Sequence, residues 1–159
     1  MKTVENFQLS LEDAEKAIAG ADRMIYMIYP IIKENKLLIK ILEEIYNSMV
    51  AVVKAILQYE YFYKRIRMYT DAETNFEIFT GCIDRYGIPS EYITTIKKVF
   101  LLFRRHKCSP MEFARKEKFV IMSDSLRTDS ITLADLRYYL SVAKDILHKA
   151  KTILMQRAF

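Results

Sequence analysis

The run Asn35-Lys36-Leu37-Leu38-Ile39-Lys40-Ile41-Leu42-Glu43-Glu44-Ile45-Tyr46-Asn47-Ser48-Met49-Val50-Ala51-Val52-Val53-Lys54-Ala55-Ile56-Leu57-Gln58-Tyr59-Glu60-Tyr61-Phe62-Tyr63-Lys64-Arg65-Ile66-Arg67-Met68 contains neither glycine nor proline. Its apolar residues recur at helical spacing, with Leu38, Ile41, Ile45, Met49, Val52, Ile56, Tyr59, Tyr63 and Ile66 forming one stripe. Leu42, Tyr46, Val50, Val53 and Leu57 widen that stripe, so the helix predicted over Asn35–Met68 is covered on two sides. At a rise of 1.5 Å per residue it reaches roughly 50 Å, which suits a central mast or a dimer element.

The same punctuation argument extends outward. The chain of 159 residues holds only three glycines and three prolines, the residues that turns and strands depend on. A few long helices follow, and the fold class is all-α: a bundle of about five helices in one domain spanning residues 1–159. On the N-terminal side, Ser10 with Asp13 resembles a capping box, and Leu11, Ala14, Ile18, Ala21, Ile25 and Ile28 share one face. Pro30 marks an end or a kink.

On the C-terminal side, Asp71 caps a helix closed by Gly87-Ile88-Pro89, and Ser90 opens another that ends in Arg104-Arg105-His106-Lys107. Ser109-Pro110-Met111-Glu112 reads as a further helix start. Phe119-Val120-Ile121-Met122, followed by a stretch rich in Ser, Thr and Asp, fits a short β-hairpin or an ordered loop near residues 119–131. Thr132 with Asp135 caps the last helix, whose stripe runs through Leu136, Leu140, Ala143 and Ala150.

Charge is unevenly spread. Residues 1–80 carry 10 basic and 12 acidic groups, whereas residues 81–159 carry 15 basic and 8 acidic, a balance of +7. Lys97–Lys118 concentrates this surplus, with eight cations against Glu112 and Glu117. Cations at a helix C-terminus are favourable in themselves, so a solvated face explains part of the run. The predicted helix start at Ser109 adds backbone N–H groups, and arginine forks suit phosphate oxygens. Arg104, Arg105, Lys107, Arg115 and Lys116 are therefore the candidate phosphate-binding residues.

Tyr61 falls opposite the core stripe of the long helix, one turn before Arg65, and Met68 ends that helix. These three are the candidate partner interface, for stacking on a base or packing on a second subunit. His106 and Cys108 are two apart, with Cys82 and His148 elsewhere, which offers neither the paired spacing of a zinc site nor a recognisable nucleophile pair. Gly20, Gly81 and Gly87 stand singly, so no glycine-rich phosphate loop is present. No cofactor is expected. The residues near the start are polar and acidic, and the most apolar windows are too short for a bilayer, so the expectation is a cytoplasmic protein with reduced thiols and no membrane partner. Three glutamines beside abundant Ile, Lys and Glu fit a thermophilic source.

Leu11–Ala17, Tyr46–Leu57 and Leu136–Leu154 together resemble the HEPN superfamily (higher eukaryotes and prokaryotes nucleotide-binding domains), helical bundles common in archaea. The resemblance implies a homodimer and a role in binding nucleotide, RNA or a partner protein. Many members of that family are RNases with an Arg-x4-6-His motif. Neither His106 nor His148 has the arginine at the required distance, so the resemblance carries over binding without the RNase centre. The sequence thus points to RNA or nucleotide bound at the basic stretch, with a homo-oligomeric scaffold or interaction module as the alternative.

Overall fold

The computed structural model describes residues 2–156, with side chains from Asn6 onward. Its helices are α1 (Lys2–Arg23), α2 (Tyr29–Ile32), α3 (Leu37–Phe62), α4 (Ala72–Tyr86), α5 (Ser90–Cys108) and α6 (Leu133–Gln156). Between α5 and α6 lie three strands, β1 (Met111–Arg115), β2 (Lys118–Met122) and β3 (Thr128–Thr132). Five long helices, α3 the long central one, match the expected bundle.

α3 is the mast. Leu38, Ile41, Leu42, Ile45, Met49 and Ile56 are completely buried on it, and each such side chain contributes about 1.5–3 kcal/mol relative to exposure. α1 lies antiparallel to α3, since Ser10 Oγ donates to Gln58 Oε1 at 3.0 Å and the Phe7 and Tyr59 rings meet edge to face at 5.4 Å. Ser10 is therefore an interior residue of α1 and not its cap; the helix begins a full two turns earlier. α6 closes the other side, tied to α1 by Lys144–Asp22 and Lys151–Glu15 and to α5 by Tyr92–Asp145.

Pro30 does not end the helix, which continues to Ile32. It lacks an N–H to donate into the ladder, and the preceding turn, Met24–Ile28, is π-helical. α2 then stops at Lys33, which adopts φ 53°. Asp71 caps α4 by accepting from the Glu73 and Thr74 amides, and Gly87, at φ 67°, closes it. Thr132 and Asp135 form the capping box of α6, each side chain reaching the other's amide at 3.1 Å.

Two further boundaries differ from the sequence reading. The long helix ends at Phe62 and not at Met68, and Lys64 takes φ 59°. The Arg65 amide donates to the Glu60 carbonyl and the Lys64 amide to that of Tyr61, which is the hydrogen-bond pattern of a left-handed helix stop. The start expected at Ser109 is not a helix: Ser109 is extended and leads into β1. β1 pairs with β2 (Phe113 opposite Val120), and β2 pairs with β3 (Phe119 opposite Ile131), both antiparallel. The hairpin expected near 119–131 is thus the second half of a three-stranded sheet. Phe119, Ile121 and Ile131 bury one face of it against the helices, which supplies the packing that a small sheet needs.

Candidate interaction groove

Three helices and one loop frame an open groove of about 980 Å³. α3 contributes Tyr46, Val50, Val53 and Leu57, positions that widen its apolar stripe, together with Lys54. α5 contributes Lys97, Leu101, Arg104 and Cys108, spaced i, i+4, i+7 and i+11 and so aligned along one face. The first turns of α4 add Glu73, Phe76 and Glu77, and the loop between α3 and α4 adds Met68.

The floor holds a cluster of stacked and edge-to-face aromatic rings. The Tyr46 and Phe103 rings stack with centroids 3.9 Å apart and planes inclined by 10°. Phe100 meets Tyr46 and Phe76, each at 5.4 Å. Val50 and Met68 remain 37% and 41% exposed, so apolar surface faces solvent here. Among the described residues, no salt bridge engages Lys54, Lys97, Arg104 or Lys107. Lys107 Nζ instead sits 5.2 Å from the centroid of the Phe103 ring.

This geometry divides the candidate phosphate-binding residues. Arg104 and Lys107 line the groove. Arg105 is turned away and grips Asp129 of β3, NH1 lying 2.7 and 2.8 Å from the two carboxylate oxygens. Arg115 ends β1, and Lys116 makes the tight turn into β2 at φ 55° while its carbonyl accepts from Asn35 Nδ2. The helix start that was to offer N–H groups at Ser109 does not exist. Its hydroxyl lies 2.6 Å from the Met122 carbonyl, and Glu112, expected to cap, approaches His106 Nδ1 at 2.6 Å.

The partner-interface candidates separate as well. Tyr61 is 52% exposed at the end of α3, Met68 lines the groove, and Arg65 is held by the buried carboxylate of Glu60. Glu60 receives Arg65 at 2.8 Å and Arg85 of α4 at 3.0 Å, beside a second cavity of about 460 Å³. That hydrogen bond to Glu60 holds the Arg65 guanidinium above its ordinary range. Burial raises the Cys82 thiol, and burial together with the Glu60 charge raises the Tyr86 phenol. The Glu60 cluster went unnoticed in the sequence, because its three charges sit 5 and 20 residues apart on separate elements.

Both cysteines are free thiols. Among the described residues no group of three His, Cys, Asp or Glu could hold a metal ion, and no helix is long and apolar enough to cross a membrane. Compared with protein-family models and with curated proteins, the sequence gives no match.

Proposed function

We propose that the protein is an interaction module whose working surface is the groove between α3, α4 and α5. One observation carries this reading: an apolar floor that reaches solvent at Val50 and Met68 and unpaired rim charges lie together on one open surface, where a solitary domain gains nothing from either. A cytoplasmic setting with reduced thiols belongs to it, as does self-association through Tyr61, which lies outside the groove lining. Cys108, exposed on the groove wall, makes the test direct. With Cys82 replaced by serine, a photo-crosslinker on Cys108 should give discrete protein adducts in cell extract, or a dimer with purified protein, and Val50→Asp should remove them. Crosslinks that go to nucleic acid alone, or that survive Val50→Asp, overturn the reading.

A second reading, a phosphate-bearing ligand such as RNA or nucleotide, is favoured by the four unpaired cations at the groove and by the HEPN-like pattern of the helices. In that case Arg104→Ala with Lys107→Ala should lower oligonucleotide affinity. It should also shallow the dependence on salt by about 0.7 per lost phosphate contact. An unchanged salt slope removes the RNA reading.

A further inference from the structure

We infer that the groove receives an amphipathic α-helix of a partner protein, with acidic residues along the flank that meets α5. This rests on the interaction reading above and names the partner's chemistry.

Shape comes first. On α3, Tyr46, Val50, Val53 and Leu57 repeat at i, i+4, i+7 and i+11, so the apolar floor runs about 16 Å, or three helical turns. The groove is an open trough and does not enclose its contents. A small ligand needs most of its surface covered, whereas a helix needs only its apolar stripe covered.

Charge selects among the extended occupants. Lys97 and Arg104 are seven residues apart on α5, a separation of about 10.5 Å that acidic residues seven apart on an adjacent helix reproduce. α4 supplies the opposite sign: Glu73 and Glu77, four apart, also line the groove. An occupant with acidic residues on one flank and basic residues on the other satisfies both. A nucleic acid strand satisfies α5 and is repelled by α4.

The lining also lacks what base recognition requires. Asn75 is the one carboxamide among the groove's described lining residues, and its side chain already accepts from the Tyr69 amide and donates to the Tyr69 carbonyl. The Phe103 ring is stacked on Tyr46, with Lys107 beside it. A second copy of this chain is a poorer match. Its one cluster of exposed aliphatic side chains among the described helical residues, Met27, Ile31 and Ile32, belongs to a π-helical turn and the one-turn α2, where no acidic residue accompanies it, and Leu9 and Met155 stand singly on α1 and α6.

The test uses a fluorescein-labelled model helix about four turns long. It carries a leucine stripe at helical spacing, glutamates on one flank and lysines on the other. Its anisotropy is followed against the full-length protein. Saturable binding is expected, weakened about tenfold or more by Lys97→Glu with Arg104→Glu. A peptide with lysines on both flanks should recover affinity on that double variant, whose two walls are then both acidic. Lys97 and Arg104 are exposed, so an unchanged melting temperature verifies the fold. Absence of saturable binding, or an affinity unchanged by Lys97→Glu with Arg104→Glu, overturns the inference. So does a peptide that fails while a single-stranded RNA oligonucleotide or a second copy occupies the groove. If the Cys108 crosslink is present but the model helix does not bind, the interaction reading stands and only the helical partner falls; if the crosslink is absent, both fall.

Discussion

Arg105 and Asp129 join the C-terminal turn of α5 to the edge strand β3, with NH1 2.7 and 2.8 Å from the two carboxylate oxygens. The two side chains are 24% and 13% exposed, so the pair is shielded enough to hold the small sheet on the bundle. Arg105→Ala should therefore cost stability, about 1–2 kcal/mol, read as a lowered urea midpoint. Arg104→Ala, one residue earlier and exposed, should leave the midpoint unchanged. Equal midpoints for the two variants would sink the structural role given to Arg105.

The Glu60 carboxylate is 2% exposed and serves two arginines at once. Arg65→Met alone should be cushioned, because Arg85 still neutralises the buried charge. Removing both should cost about 3 kcal/mol or more, well beyond the sum of the single changes. A double-mutant cycle in urea checks this, and simple additivity would show that solvent compensates the carboxylate instead.

Two helix ends make opposite predictions. Lys64 closes α3 at φ 59°, where a Cβ is disfavoured, so Lys64→Gly should raise stability by about 1 kcal/mol. Gly87 closes α4 at φ 67°, with open space around the position a Cβ would take. Gly87→Ala should lose about 1 kcal/mol from backbone strain alone. Thermal midpoints of the two variants should move in opposite directions.

Tyr92 Oη donates to Asp145 Oδ2 at 2.8 Å, linking α5 to α6. That bond holds the Asp145 carboxyl below its ordinary range, with Lys149 assisting, and holds the Tyr92 phenol above its own. A lowered carboxyl stabilises the fold above the ordinary carboxylate range, and the effect fades as pH falls through the folded value. A raised phenol stabilises it below the ordinary phenol range, and the effect fades as pH rises. The stability difference between wild type and Tyr92→Phe should thus be widest between those ranges and narrow at either extreme. Urea midpoints across a pH series measure it, and a difference that does not vary with pH would contradict the assignment.

Much of the fold was legible because helix formation here is local chemistry. Asp71, Gly87, and Thr132 with Asp135 act on amides and carbonyls within a few residues of themselves, so their roles could be assigned without the tertiary structure. Ser109-Pro110-Met111-Glu112 carries a local signal just as good, yet it opens a strand. Phe119–Met122 is an apolar strand that needs partners on both edges, and the ladder from Met111–Arg115 outweighs a cap and a first-turn proline. The stripe through Tyr63 and Ile66 likewise promised more helix than forms. Backbone bonds from Lys64 and Arg65 close the helix there, and Glu60 pairs with Arg65 just past the stop and with Arg85 from α4.

The site was legible only in its parts. Lys97, Arg104 and Lys107 stood out as cations, and Val50, Val53 and Leu57 as an apolar excess on the long helix, but nothing in the sequence placed them side by side. The sequence by itself determined a helical bundle around α3, with most of its caps, because periodicity and capping are properties of neighbouring residues. Only the tertiary structure decided which charges stay free. Arg105, Arg65 and Arg85 are spent on carboxylates brought from other elements, while the cations left over border an apolar trough between α3, α4 and α5. Arg85–Glu60 and Arg105–Asp129 pair across 25 and 24 residues, separations that no local spacing rule encodes.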